Sequence, residues 1–221
     1  MLMGIKAMDE NRERRGEISR MIETQLKRRG IRKPEVLEVF QRIPRHLFVP
    51  GRHQVEAYGD FPLPIGSGQT ISQPFVIALM LEYLNLEPHH HVLEVGTGSG
   101  YATALLSSMV AWVDSVEFYQ SLLDEVDARL EQVQITNCAL FHGNGWEGPP
   151  AKKLYDRIVV WASPNQVPEN LVRALKPDGR MVVPVGKGDQ RLYIITQSAG
   201  KVQKEFVDWV RFVPLINGDP L

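Results

Sequence analysis

His91-Val92-Leu93-Glu94-Val95-Gly96-Thr97-Gly98-Ser99-Gly100 decides how the rest of the chain is read. A short apolar run ends in glycines at alternate positions, and a helix-like run, residues 101–110, follows directly. A strand that turns through glycines into a helix brings backbone close to a ligand at a helix N-terminus. The next strand-like run, residues 112–117, ends in Glu117, where a carboxylate can accept hydrogen bonds from both hydroxyls of a ribose. These features together predict a nucleoside-containing cofactor.

Spacing narrows the choice. A dinucleotide fingerprint needs a third glycine at position 101, which is Tyr101, so a nicotinamide oxidoreductase is disfavoured. Glu94 two residues before Gly96, with Gly98 and Gly100 beyond, resembles motif I of S-adenosylmethionine-dependent methyltransferases. That cofactor has no pyrophosphate to cradle. Its methionine end carries an ammonium and a sulfonium, toward which Glu94 would offer negative charge, while the backbone of Gly96, Thr97, Gly98, Ser99 and Gly100 would line the thioether chain.

Around this unit, strands and helices alternate from residue 91. Strands are expected at 91–95, 112–117, 138–142, 155–161 and 180–185, and helices at 100–110, 119–134 and 168–175. Such alternation implies an α/β, Rossmann-like, doubly wound and mostly parallel sheet. Runs at 191–196 and 205–213, joined by the Ser198-Ala199-Gly200 turn, suggest an antiparallel edge. Residues 1–50 read as an N-terminal helical extension, with helices near 10–29 and 34–42 and Pro34 at the start of the second. Residues 51–221 would form the catalytic domain. Its stretch 51–75 reads as a long, Gly- and Pro-rich loop zone, followed by a helix at 73–86.

Composition excludes several classes. The chain has 221 residues, 43% hydrophobic and 23% charged, with a net charge of −1, which is ordinary for a globular protein and unlike a dedicated nucleic-acid binder. The basic stretch from Lys6 to Lys33 reads as a solvated helix face, because Ile18, Met21, Ile22 and Leu26 recur at helical spacing. The single cysteine, Cys138, allows no intrachain disulfide and fits a reducing compartment. No signal peptide opens the sequence and no apolar run is long enough to span a membrane, so a cytoplasmic protein is expected. No metal is expected: His89-His90-His91 would alternate faces in a strand, with no accompanying carboxylate or cysteine set.

In open α/β sheets ligands bind beyond the carboxyl ends of the strands. That places Gly143-Asn144-Gly145 and Ala162-Ser163-Pro164 near the cofactor. Asn144 has two readings, an acceptor for an adenine amine or a turn residue between glycines. Trp146 and Trp161 either flank the adenine or fill the core, and Tyr58 and Asp60 fall where a substrate groove would run. Ser72 stands just before the 73–86 helix, as its N-cap or as a hydroxyl aimed at an anion.

Residues 58–74, YGDFPLPIGSGQTISQP, together with 92–106, 143–148 and 181–186, resemble the protein-L-isoaspartate O-methyltransferase family from about Arg45 to Pro214. Gly68-Gln69-Thr70-Ile71-Ser72-Gln73-Pro74 is the family-specific block, and LKPDGRMVVPVG and FVPL match its later strands. The resemblance implies an enzyme moving a methyl group from S-adenosylmethionine to the free α-carboxylate of L-isoaspartyl residues in damaged proteins. The ester would then close to a succinimide that reopens partly to aspartate. It implies Ser72 and Thr70 at the acceptor carboxylate, and Ile65, Gly68, Gln69 and Ile71 along the substrate. Glu94, the 96–100 turn, Glu117, Asn144 and Gly145 would hold the cofactor, and S-adenosylhomocysteine would be the product. The chain departs from the family at Asn144, where aspartate is usual, and at Phe118-Tyr119-Gln120. A neutral hydrogen bond is worth about 1 kcal/mol against about 1.5–3 for a charged one, so Asn144 predicts weaker binding rather than none. The competing readings are a methyltransferase of this fold acting on a nucleic-acid base or small molecule, and a non-catalytic relative.

Overall fold

The computed structural model describes residues 14–150, 153–198 and 200–220. Residues 10–13 of the first expected helix and Ala199 of the closing turn lie outside that range. Helix α1, residues 14–21, runs on through a π turn, Ile22–Leu26, and a 3-10 turn, Lys27–Arg29. Helix α2, Pro34–Arg42, and helix α3, Pro74–Leu84, both carry proline in the first turn, where its missing N–H costs nothing.

The expected loop zone holds more order than its composition suggested. Two 3-10 turns, Arg45–Phe48 and Gly51–Glu56, precede a hairpin of β1, Leu63–Gly66, and β2, Gln69–Ile71. Its turn residues Ser67 and Gly68 have φ of 49° and 69°, and positive φ at both central positions marks the I′ hairpin turn.

The main sheet has the order β5-β4-β3-β6-β7-β8-β9. Its strands are β3 His91–Val95, β4 Trp112–Glu117, β5 Cys138–His142, β6 Tyr155–Val160, β7 Leu175–Val185, β8 Gln190–Ser198 and β9 Lys201–Val210. Strands β3 to β7 pair in parallel, whereas β8 and β9 each pair antiparallel to their neighbour. The antiparallel edge is therefore two strands wide. Chain order reverses between β3 and β6, which opens a crevice at their carboxyl ends.

Helices cover both faces: α4 Tyr101–Ser107, α5 Gln120–Leu123, α6 Val126–Gln132 and α7 Glu169–Arg173. The expected helix at 119–134 is broken into α5 and α6, and the break seats Val126 over the glycine turn. Strand β7 begins earlier than expected, because Leu175 already pairs with Tyr155; residues 176–179 leave the ladder before Arg180 rejoins it opposite Arg157. In the β8–β9 ladder, Val207 bulges out between Phe206, opposite Tyr193, and Asp208, opposite Leu192.

Side chains alternate across the strands. Val92, Val113, Val159 and Val182 pack against the cluster that holds α3 and α4, and Leu93, Val95, Val116, Ile158 and Val160 pack with α7 on the other face. Buried residues from Ile18 to Val49 belong to the first cluster, so this stretch has no core apart from α3 and α4. Arg45 is wholly buried, donates from Nε to the Ala57 carbonyl at 2.8 Å and lies over the Tyr101 ring. Burial lowers its pKa to about 10, so it stays charged at neutral pH.

Gly100 has φ of 85°, and an added Cβ would meet Val126 Cγ1 at 2.8 Å. Gly100→Ala is expected to cost roughly 1–3 kcal/mol in backbone strain, with more from the clash. Denaturant titration should show that adding Val126→Ala recovers the steric part alone. A Gly100→Ala protein of unchanged midpoint would contradict this account.

Candidate active site

The glycine turn directs its own donors back into the protein. Gly96 N–H donates to the Val116 carbonyl at 2.8 Å, Gly98 N–H to Glu117 Oε2 at 2.8 Å, and Gly100 N–H to the Thr97 carbonyl at 2.9 Å. A phosphate nest needs such donors free. With them consumed, the turn suits a ligand that packs against backbone rather than one that brings phosphate.

Behind the turn sits Glu94. The strand alternation that turns Val92 toward α4 also turns Glu94 there, together with Ser115 of β4. Glu94 is fully buried; Oε2 accepts from Thr103 Oγ1 at 2.5 Å and Ser115 Oγ at 2.6 Å, and Oε1 accepts from Trp161 Nε1 at 2.8 Å. Thr97 Oγ1 extends the network to Ser115 Oγ at 2.6 Å. Burial is the largest influence and pushes the Glu94 carboxyl up to about 7, although its three donors pull the other way. Glu94 therefore ties β3, β4, α4 and the end of β6 together and forms no cleft wall.

Glu117, at the carboxyl end of β4, is 5% exposed. Its Oε1 accepts from the N–H groups of Phe118 at 2.9 Å and Tyr119 at 3.1 Å, and Oε2 from Gly98. Burial raises its pKa, and the three backbone donors oppose the rise. The carboxylate is thus aimed by main chain, and it lines a cleft together with Ile65, Gly96, Gly98, Phe118 and Gly145.

Three cavities meet at the crevice. The cleft beside Glu117 has a volume of about 70 Å³. A notch of about 40 Å³ lies against Ile71, Ser72, Thr97 and Ser99. An open groove of about 620 Å³ runs past Ser72, Phe75, Arg29, Trp209 and Phe212. Thr70 and Trp161 line all three.

The hairpin lies over the glycine turn. A Cβ on Gly98 would stand 3.2 Å from Ile65 Cδ1, and Ser67 Oγ is 3.0 Å from Ser121 Oγ at the start of α5. Ser72 is not the helix cap: that position falls on Gln73, with no side-chain cap bond. Gln73 Nε2 donates instead to Asp60 Oδ1 at 2.7 Å, and Arg29 pairs with Asp60 Oδ2 at 3.1 Å while stacking on Phe75. The Ser72 hydroxyl makes no hydrogen bond among the described residues and borders the groove and the notch.

Several expected site residues stand off the walls. Glu94 lies behind them, Gly100 faces Val126, and Gly68 is at the exposed hairpin tip. Asn144 spends its side chain internally, with Oδ1 accepting from Trp146 N–H at 2.9 Å and Nδ2 donating to the Gly218 carbonyl at 2.7 Å. Its turn reading accounts for the bond to Trp146, whereas the bond to Gly218 ties the turn to the distant closing segment. Gln69 lines the cleft, whereas Tyr58 is buried and its hydroxyl bonds to His46 Nδ1 at 2.7 Å. Of the histidines, His89 and His90 do have a carboxylate neighbour: their ring nitrogens and Glu87 lie within 4.8 Å of one another, at the opposite end of β3 from the cleft. The sequence reading missed Phe118 and Tyr119 as cleft walls and the closing segment 213–216. That segment reaches the cleft because Ser163 N–H donates to the Val213 carbonyl at 2.8 Å and Leu215 N–H to the Ser163 carbonyl at 2.9 Å. No local pattern in residues 211–216 signals this long-range pairing.

Comparison with known proteins agrees with this geometry. Residues 17–219 match the family model described as Protein-L-isoaspartate(D-aspartate) O-methyltransferase. A protein-L-isoaspartate O-methyltransferase of Vibrio cholerae is 45% identical over 194 residues, covering 88% of this chain and 93% of its own. One from Pectobacterium atrosepticum is 42% identical over 205 residues, covering 91% and 99%. A crystal structure from Plasmodium falciparum, described as a protein-L-isoaspartate O-methyltransferase in complex with S-adenosyl-L-homocysteine, is 28% identical. It superposes with a TM-score of 0.79 over 91% of this chain and 97% of its own.

The raised Glu94 pKa fixes the sign of a pH effect. A carboxyl lifted from 4.5 to about 7 favours folding in its neutral form, so its contribution is complete below pH 4.5 and is lost as pH rises through about 7. Glu94→Gln imitates the neutral form. Between pH 4.5 and pH 8, wild type should lose up to about 3 kcal/mol relative to that variant in urea unfolding. Parallel pH profiles would remove the assignment.

Proposed function

The chain belongs to the protein-L-isoaspartate(D-aspartate) O-methyltransferase family, and from that premise we propose that it methylates the free α-carboxylate of L-isoaspartyl residues in damaged proteins, using S-adenosylmethionine. One observation carries the reading: Thr70 stands at once on the cleft that holds Glu117 and on the open groove that holds Ser72.

The residues fit the cofactor. Glu117 Oε1 is filled by two main-chain donors and Oε2 by one, which leaves one acceptor site on Oε2 for a ribose hydroxyl. The glycine turn gives a wall without side chains, and Ile65 covers it. When bound, S-adenosylmethionine supplies an electrophilic methyl group on a sulfonium centre.

The remaining work falls to the chain. An unperturbed carboxyl has a pKa of about 3.5–4.3, so the acceptor is ionised at neutral pH and needs no general base. The unengaged Ser72 hydroxyl, with Thr70 beside it, donates to one acceptor oxygen and leaves the other free to attack. Two hydroxyls orient the carboxylate without the strong stabilisation that a cation would impose on a nucleophile. Ile65, Phe75 and Trp161 keep water from the junction, and orientation is the main catalytic contribution. The ester then closes to a succinimide without help from the protein. The groove, open and walled by Arg29, Phe75 and Trp209, suits a polypeptide better than a small acceptor. Cytoplasmic residence is the reading that the lone Cys138 supports. No helix among the described residues is long and apolar enough to cross a membrane.

With labelled S-adenosylmethionine and two peptides differing only in one isoaspartyl or aspartyl residue, label should enter the isoaspartyl peptide alone. Transfer to neither, with the cofactor bound in calorimetry, would overturn the proposal. Ser72→Ala should lower kcat by roughly 10-fold or more, the worth of a hydrogen bond to a charged group, at nearly unchanged cofactor affinity. Glu117→Ala should raise the cofactor Kd by roughly 10–100-fold. An unaltered Kd would dismiss the ribose role.

A further inference from the structure

Trp161 follows β6 directly and is held at three points. Its main-chain N–H donates to the Val95 carbonyl at 2.9 Å. Its indole Nε1 donates to Glu94 Oε1 at 2.8 Å. Its Cβ packs on the glycine turn, where a Cβ on Gly96 would meet it at 3.4 Å. Backbone, Cβ and ring are therefore all fixed, and the ring cannot turn without leaving a buried carboxylate oxygen without its donor, a costly state.

Although only 8% exposed, Trp161 borders the Glu117 cleft, the notch beside Ser72 and the open groove. Among the described residues only Thr70 is shared by all three in the same way, and Thr70 belongs to the hairpin, whereas Trp161 directly follows β6 of the sheet. The two side chains thus come to one junction from independent elements.

We propose that Trp161 is the partition between the cofactor cleft and the acceptor groove, with Glu94 as the positioning residue that holds it, so that the indole sets where the acceptor carboxylate stands. This rests on the assignment of the two clefts made above. A flat, anchored ring limits how far the carboxylate can withdraw toward the groove and keeps water from joining the two spaces. Misplacing reactants by about 1 Å costs on the order of 100-fold in rate, so a modest slackening of this wall is visible in kcat.

The test uses Trp161→Phe and Trp161→Ala in the full chain, with S-adenosylhomocysteine as the cleft probe and an isoaspartyl peptide as acceptor. Trp161→Phe keeps a ring but loses the Glu94 bond, and kcat is expected to fall roughly 10-fold. Its S-adenosylhomocysteine Kd by calorimetry should stay within about 3-fold of wild type, since the cleft's other walls remain. Trp161→Ala merges the cavities and should also raise the peptide KM. Tryptophan emission reads the wall directly. Wild type should respond to S-adenosylhomocysteine alone, and Trp161→Phe should lose that response although Trp112, Trp146 and Trp209 remain.

If the 161 variants do not fold, Trp209→Phe serves instead. It leaves Trp161 as the one tryptophan on either cleft among the described residues, and its emission should respond to both S-adenosylhomocysteine and the peptide. Wild-type kcat in Trp161→Ala, a full response in Trp161→Phe, or a silent Trp209→Phe overturns the proposal. A wild type that responds to S-adenosylhomocysteine yet transfers no methyl group to the isoaspartyl peptide overturns the assigned reaction instead.

Discussion

Glu94 is a carboxylate placed where water cannot reach it, in the middle strand of a parallel sheet, and the site is assembled around the bonds that make this tolerable. A buried charge is costly unless it is paired or well supplied with donors. Here Thr103 comes from α4, Ser115 from β4 and Trp161 from the end of β6, so satisfying one side chain fixes the relation of four elements. Those elements also carry the glycine turn, Glu117 and, in Trp161, a wall of the open groove. Precision at the crevice therefore originates one layer below it. The price is a carboxyl whose pKa is lifted toward neutrality.

The second constraint is the hairpin. Sheet and helices carry Glu117 and the glycine turn, but Thr70 and Ile65 arrive from a separate two-stranded unit that touches the sheet region through Gly98 and α5. Arg29 of the N-terminal segment braces the approach to it through Asp60, which also accepts from Gln73. The N-terminal segment therefore contributes to the geometry of the groove as well as to the core. The cleft beside Glu117 and the open groove thus draw on different pieces of structure, which share Thr70, Trp161 and Val213 among the described residues.

Short strand-like runs bounded by loop residues are easy to read, and β3, β4 and β5 have the limits expected of them. The glycine turn and Glu117 were legible for a related reason, since close backbone approach leaves few alternatives to glycine. The β1–β2 hairpin was not, because Pro64 and Gly66 interrupt its alternation and Ser67 is not an obvious residue for positive φ; the Gly66-Ser67-Gly68 turn was the available clue. Ser72 looked like a helix cap since capping is a local rule, whereas the backbone enters α3 one residue later, at Gln73. The placement of Trp161 and of residues 213–216 depends on contacts between distant parts of the chain, which no window of sequence contains.

The outermost strand bears on the company this protein keeps. Damaged polypeptides are partly unfolded and carry unpaired backbone, and a long open strand is a template for them. Strand β9 ends the sheet and exposes Val202, Phe206 and Trp209. Yet Val207 bulges out of its ladder, and Lys201 and Lys204 place charge along it. A broken register and desolvation-resistant ammonium groups make poor partners for an invading strand. The edge thereby offers little to a strand that would pair with it, beside the open groove that Trp209 also lines.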